Sequence, residues 1–238
     1  MLLEVPVFDI NSALIAQKAG AHRIELCASM ADGGITPSYG MILEARKLLQ
    51  IPFFVMIRPR GGNFTYTNEE MLVMLSDIEF CRKHQIQGIV TGVLTQEGKV
   101  DKEACYRLTE AAGSMQLTFH RAFDRAIDPF EALEVIIEMG FHRILTSGQK
   151  ETVMEGAQLI AQLVEKAENR IVIMPGSGLN EDNLTQLHAI CKAKEYHSSA
   201  KIIHCQNSYQ KEKQHFFTVC PQKVRKMLEI MSRVSSYS

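Results

Sequence analysis

The chain has 238 residues, 46% of them hydrophobic and 22% charged, with a formal net charge of −1. That balance describes a folded chain rather than a disordered one, long enough to bury a full core, and without the basic excess that a nucleic-acid partner calls for. No apolar run reaches the ~18–20 residues of a membrane span, and Met1 to Val7 lacks a basic segment or cleavage site, so it reads as a first strand rather than a signal peptide.

Short β-rich runs follow near 2–8, 23–28, 52–58, 88–94, 116–122, 143–147, 170–175 and 195–199. Their starts lie 21, 29, 36, 28, 27, 27 and 25 residues apart, the beat of repeated strand–helix units. Pro52 to Ile57 and Arg170 to Met174 are apolar nearly throughout, as parallel strands covered on both faces are. Between the runs, Asn11 is expected to cap a helix over about 12–19 that Gly20 ends, and Thr36-Pro37-Ser38 opens the next. Thr67 and Glu70 form a capping box for a helix running to about His84. Asp128-Pro129 starts another, which Gly140 closes. Asn180 is expected to cap a helix ending near Cys191. Residues 201–220 are expected to be an irregular loop, either a lid or a mobile insertion, before a last helix over 221–233.

The segments Gly20-Ala21-His22-Arg23-Ile24 and Gly140-Phe141-His142-Arg143-Ile144 repeat one pattern at a helix-to-strand junction. No Pro/Gly/Ser-rich linker divides the chain, so the prediction is one α/β domain, a (β/α)8 TIM barrel over 1–238. An open doubly wound sheet is the weaker alternative, because Asp9-Ile10-Asn11-Ser12 lacks the glycine-rich turn such a sheet places after its first strand.

Chemistry in a parallel barrel gathers at the C-terminal ends of the strands. Alternation puts Glu25 with Cys27 on one face, and Thr118 with His120 on one face. If those faces point inward, Glu25, Arg58 and His120 converge, with Glu4 and Glu25 as partners for Arg58. His120 suits proton transfer near neutral pH. The same residues would also serve as an ion-pair network that plugs the barrel. Pro175-Gly176-Ser177-Gly178 is either an anion cradle after the seventh strand or a tight turn, and Arg60-Gly61-Gly62 sets a cation beside flexible backbone. The six cysteines, Cys27, Cys81, Cys105, Cys191, Cys205 and Cys220, form no CxxC pair and suggest reduced thiols of a cytoplasmic protein, mostly core filler. Met71 and Met74 share a helix face and read as core.

Six motifs in order carry a resemblance: Arg23 to Cys27, Gly33 to Ser38, Ile57 to Gly62, Thr118 to Asp124, Leu145 to Gly148 and His197 to Ala200. Together they resemble the copper homeostasis protein CutC family over about residues 2–200. The resemblance implies a cytoplasmic TIM barrel assembled as a homodimer or larger homo-oligomer, a role in copper homeostasis, and monovalent copper, Cu(I), as ligand. Cys27 is then the metal-ligand candidate. Some members carry a cysteine on strand 1 that could pair with the strand-2 cysteine; here Pro6 stands there, so a two-thiolate Cu(I) site of that kind is not available within this chain.

The residues themselves point to an enzyme acting on a small anionic, phosphorylated or sugar-like metabolite. In that reading Glu25 and His120 are acid and base, Arg58 and Arg60 clamp the anion, and Glu4 is a second carboxylate or an orienting group. Gly61, Thr146, Ser147, Gly176, Gly178, His197 and Ser198 complete the ligand-binding set. A binding or assembly module without catalysis is a third reading.

Overall fold

Period-two alternation sends one set of strand side chains outward against helices and the other into the barrel. The computed structural model describes residues 1–207 and 213–235 and shows eight parallel strands. They are β1 (Leu2–Val7), β2 (Arg23–Leu26), β3 (Phe53–Met56), β4 (Gly88–Thr91), β5 (Gln116–Phe119), β6 (Arg143–Thr146), β7 (Val172–Pro175) and β8 (Glu195–His197). Hydrogen bonding runs in the order β7-β6-β5-β4-β3-β2-β1-β8, and β7 packs beside β8 to bring the ring together as a (β/α)8 barrel. The predicted strands are all present. Most stop earlier than expected, because the chain leaves the ladder to form the loops that carry the site.

Outward residues such as Leu3, Val5, Ile24, Leu26, Val55 and Ile89 are fully buried against the helices and form the main core. A separate inner cluster, Cys27, Phe54, Met56 and Val90 with Phe8, fills part of the barrel interior. The helices are α1 (Ile10–Ala19), α2 (Tyr39–Leu48), α3 (Asn68–Lys83), α4 (Lys102–Ala112), α5 (Pro129–Glu138), α6 (Ala157–Ala167), α7 (Leu184–Cys191) and α8 (Pro221–Ser235).

Their ends follow capping chemistry, with two corrections. Asp9, not Asn11, caps α1: its carboxylate accepts the Ser12 N–H at 2.8 Å, so the helix begins at Ile10. Gly20 ends α1 at φ +99°, a left-handed conformation in which its N–H reaches the Ala16 and Gln17 carbonyls. The Thr67/Glu70 capping box and the Asp128 cap stand as expected. Asn180 does not cap α7. Its side chain accepts the Asp182 and Asn183 N–H groups in the preceding turn, and the helix starts after Asn183.

The 201–220 segment departs further from expectation. Lys201–Asn207 (β9) and Lys213–Val219 (β10) pair as antiparallel strands, so backbone hydrogen bonding organises most of a stretch whose lysines and histidines read as a loop. Residues 208–212, part of the expected loop, lie outside the described residues.

The repeated junction has a clear physical role. His22 and His142 each donate a backbone N–H to the preceding strand, at Leu3 and Leu117, and each Nδ1 accepts the backbone N–H of that same residue. The next residue in each copy, Arg23 or Arg143, turns into the barrel, and the two guanidinium groups flank the Phe54 ring at 4.7 and 5.1 Å.

Candidate functional site

Strand register assembles a charged floor. Glu4 on β1 sits opposite Arg23 on β2 and opposite His197 on β8. Its carboxylate takes Arg23 Nε at 2.5 Å and His197 Nδ1 at 2.8 Å, with no exposed surface. Glu195 accepts from both Arg23, at 2.5 Å, and Arg143, at 3.2 Å. Burial raises the Glu4 carboxyl, but Arg23 and His197 outweigh it and hold the group at about 2. An ion-pair network of Glu4, Arg23, Arg143, Glu195 and His197 thus crosses the barrel. Of the residues expected to plug it, Glu4 belongs to it directly, Glu25 lies 3.8 Å from His197, and Arg58 and His120 make no ion pair in it. Glu4 and Glu25 are not partners of Arg58. Arg58 instead donates to three backbone carbonyls, those of Asp32 at 2.6 Å, Gly34 at 3.0 Å and Gly62 at 2.8 Å. Its guanidinium also stacks over Phe64 at 4.8 Å.

Above this floor lies a cavity of about 580 Å³. Glu25, Arg58, His120 and His197 all face it, with Cys27, Gly178 and Ser198 also on its wall. Four buried polar atoms on its lining residues have no hydrogen-bond partner: Glu25 Oε1, Arg58 Nε, His120 Nε2 and Glu181 Oε2. Buried polar groups are ordinarily paired, so four orphans on residues around one space are the mark of a candidate ligand site.

The two ionisable groups expected as acid and base differ sharply. Burial pushes the Glu25 carboxyl up to about 7. His197, whose Nε2 lies 3.8 Å from Glu25 Oε2, draws it down, while Glu4 adds to the rise. Burial and the nearby Arg58 cation push His120 down to about 3. Its Nδ1 accepts the Ala122 N–H at 3.2 Å, so the ring proton sits on Nε2, a buried atom without a partner on a residue that lines the cavity. Burial and Arg58 thus favour the neutral His120 ring, with its proton on Nε2. His197 moves the other way: burial lowers its pKa, but the bond to Glu4 and the Glu25 charge raise it further.

The remaining expected residues divide. Arg60 is held by Glu70 at 2.5 Å and by the Thr65 carbonyl, and does not face the cavity. Gly61 packs against Asp32, whose Oδ1 would lie 2.5 Å from a Cβ placed there. Thr146 and Ser147 bind the Asp124 carboxylate and fix the loop after β6. Gly176 makes room for His197, whose Cβ would lie 3.2 Å from a glycine Cβ. Ser198 donates to the Leu179 carbonyl at 2.6 Å. Sequence reasoning missed three cations on the wall, Arg121, Lys201 and Lys223. Arg121 stood within a quoted motif; the two lysines lie past the barrel strands, where no strand-end argument reaches.

Burial and the Glu25 carboxylate push the Cys27 thiol well above the ordinary range. Among the described residues no cluster of three or more His, Cys, Asp or Glu side chains is placed to hold a metal ion. No helix among the described residues is long and apolar enough to cross a membrane.

A family model described as the CutC family matches residues 1–202. A CutC family protein of Parabacteroides distasonis is 46% identical over 213 residues, 89% of this chain and 88% of that one. The copper homeostasis protein cutC homolog of Mus musculus is 45% identical over 200 residues, 84% of this chain and 74% of its own. The solved structure of CutC from Streptococcus agalactiae is similar with a TM-score of 0.81 at 36% identity, covering 84% of this chain and 98% of its own.

Proposed function

The chain belongs to the CutC family, and from that premise we propose that it serves copper homeostasis, the role its mouse relative is named for, by binding a small anionic organic molecule at the barrel mouth. The observation that carries this reading is the set of orphaned atoms, Glu25 Oε1, Arg58 Nε, His120 Nε2 and Glu181 Oε2, on residues around one cavity of about 580 Å³. That volume suits a metabolite rather than a bare ion. Arg58, Arg121, Lys201 and Lys223 line it; Arg121 is paired with Asp124 and Lys223 lies 3.9 Å from Glu181, which leaves Arg58 and Lys201 against Glu25 and favours negative charge on the ligand. Its effect on copper is then indirect, through the molecule it holds.

Direct Cu(I) binding is the second reading, and one observation favours it: Cys27 Sγ and Met56 Cε both crowd Gly34, within 3.3 and 3.4 Å of a Cβ placed there, so two soft side chains stand together. Anaerobic Cu(I) competition against a chelator separates the readings. Equal weak binding by the parent and Cys27→Ala supports the organic ligand, and tight binding lost in Cys27→Ala overturns it. A thermal-shift screen of phosphorylated and sugar-like metabolites tests the preferred reading directly: stabilisation lost in Arg58→Ala supports it, and stabilisation unchanged in that variant places the ligand elsewhere. The cytoplasmic setting and the homodimer or larger assembly belong to the same proposal. Light scattering that shows a monomer removes the assembly.

A further inference from the structure

We propose that the ligand of this cavity carries a carbonyl group with a C–H bond beside it, that Glu25 takes and returns that proton, and that His120 donates a fixed Nε2–H to the carbonyl oxygen. The inference rests on the reading of the cavity as an organic-anion site and names a reaction class within it. Glu25 projects from β2 and His120 follows β5, so the two come from separate strands and line one space. Each presents a buried polar atom without a partner, an acceptor on Glu25 and a donor on His120. A carboxylate and a neutral N–H donor facing across a pocket are the two groups that enolisation requires.

The tautomer of His120 is fixed by geometry. The Ala122 N–H occupies Nδ1, Phe64 lies against the ring at a centroid distance of 4.9 Å, and Gly92 closes the other side, where a Cβ would lie 2.8 Å from Nδ1. A ring held this way cannot swing to accept a proton, but its N–H is preorganised for an oxygen that gains charge. Glu25 is a stronger base than an ordinary carboxylate, because burial leaves its charge poorly solvated. Phe64, Met56 and Leu145 give the cavity an apolar wall, which strengthens both interactions.

The step balances without an oxidant or reductant. The C–H bond breaks as an O–H bond forms on Glu25. The C–H electron pair becomes the C=C bond of an enolate, and the carbonyl π pair moves to oxygen, against His120 Nε2–H. Return of the proton to the same carbon gives exchange with solvent. Delivery of the proton instead to the former carbonyl carbon, with the hydroxyl proton of the deprotonated carbon passing to the former carbonyl oxygen, interconverts aldose and ketose.

The test incubates the full chain in D2O at pH 8 with dihydroxyacetone phosphate, ribulose 5-phosphate and fructose 6-phosphate. Ligand-observed NMR reads binding, and mass spectrometry of the same samples reads deuterium beside the carbonyl. We expect at least one probe to bind and to gain deuterium. Glu25→Gln should still bind it, with exchange at least ~100-fold slower. His120→Leu should slow exchange by ~100-fold, and His120→Gln, which keeps an N–H donor, should restore part of the rate. Binding without exchange overturns the inference and leaves the anion-site reading standing. Failure of all three probes to bind overturns both. Exchange that persists in Glu25→Gln removes Glu25 from the step, and equal rates in His120→Leu and His120→Gln remove the donor role.

Discussion

Replacing Glu25 with glutamine should stabilise the protein at alkaline pH and leave it unchanged at acid pH. Burial holds the Glu25 carboxyl at about 7, against an ordinary 4.5. The folded state therefore prefers the protonated group. Its contribution to stability is fully present below pH 4.5 and is lost as pH rises through 7. The displacement of about 2.5 units corresponds to about 3 kcal/mol at ~1.36 kcal/mol per unit. Glutamine keeps the shape and removes the charge, so Glu25→Gln avoids that loss. For a chain of this size, ~2–4 °C per kcal/mol translates it into a rise of roughly 6–12 °C in melting temperature at pH 8.5. Thermal and urea unfolding of variant and parent at pH 4 and pH 8.5 make the measurement, and subtracting the parent at each pH cancels the titrating groups that Glu25 does not touch, His197 excepted. Equal stabilities at pH 8.5 would refute the reasoning, since they would mean that Glu25 ionises without cost and is solvated or paired after all.

Glu4→Gln should act in the opposite sense, because Arg23 and His197 hold the Glu4 carboxyl at about 2 despite its burial. That stability is present above about pH 4.5 and is lost as pH falls toward 2, so urea unfolding should show a deficit of about 3–5 kcal/mol at pH 7 that closes on acidification. The Cys27 thiol, buried and beside Glu25, should react with iodoacetamide at pH 8 at least ~100-fold more slowly in the native protein than in urea, as peptide mapping would read. Gly92→Ala should cost about 1–3 kcal/mol in melting experiments, since the new Cβ would stand 2.8 Å from His120 Nδ1 and 3.0 Å from Phe119 Cζ.

The barrel was legible because its signals are local and repeated. Strand spacing, the Thr67/Glu70 box and the Asp128-Pro129 start each depend on residues a few positions apart. That Glu25 shares a face with Cys27, and Thr118 with His120, was legible too, because alternation along a strand sets it, while the inward direction of those faces was only a condition. Pairing was not legible. Arg58 binds backbone carbonyls, and a carbonyl is present at every residue, so no sequence pattern marks it. Glu4 meets Arg23 and His197 through the register of β1 with β2 and β8, which spacing alone does not set. The fate of His120 also escaped, because a histidine near a strand end reads as a titrating group until the Ala122 N–H and the Arg58 charge are placed around it. The β9–β10 pairing went unseen because lysines and histidines along its strands hid the ladder.

The central claim is that an elevated carboxyl and a permanently neutral imidazole share one cavity. A single NMR titration of protein labelled at glutamate carboxyl carbons and histidine nitrogens, followed from pH 4 to pH 8.5, tests it. The account predicts a Glu25 midpoint near 7 and a His120 ring that stays neutral with its proton on Nε2 throughout. A Glu25 midpoint near 4.5 together with His120 protonation near 6.5 would contradict it.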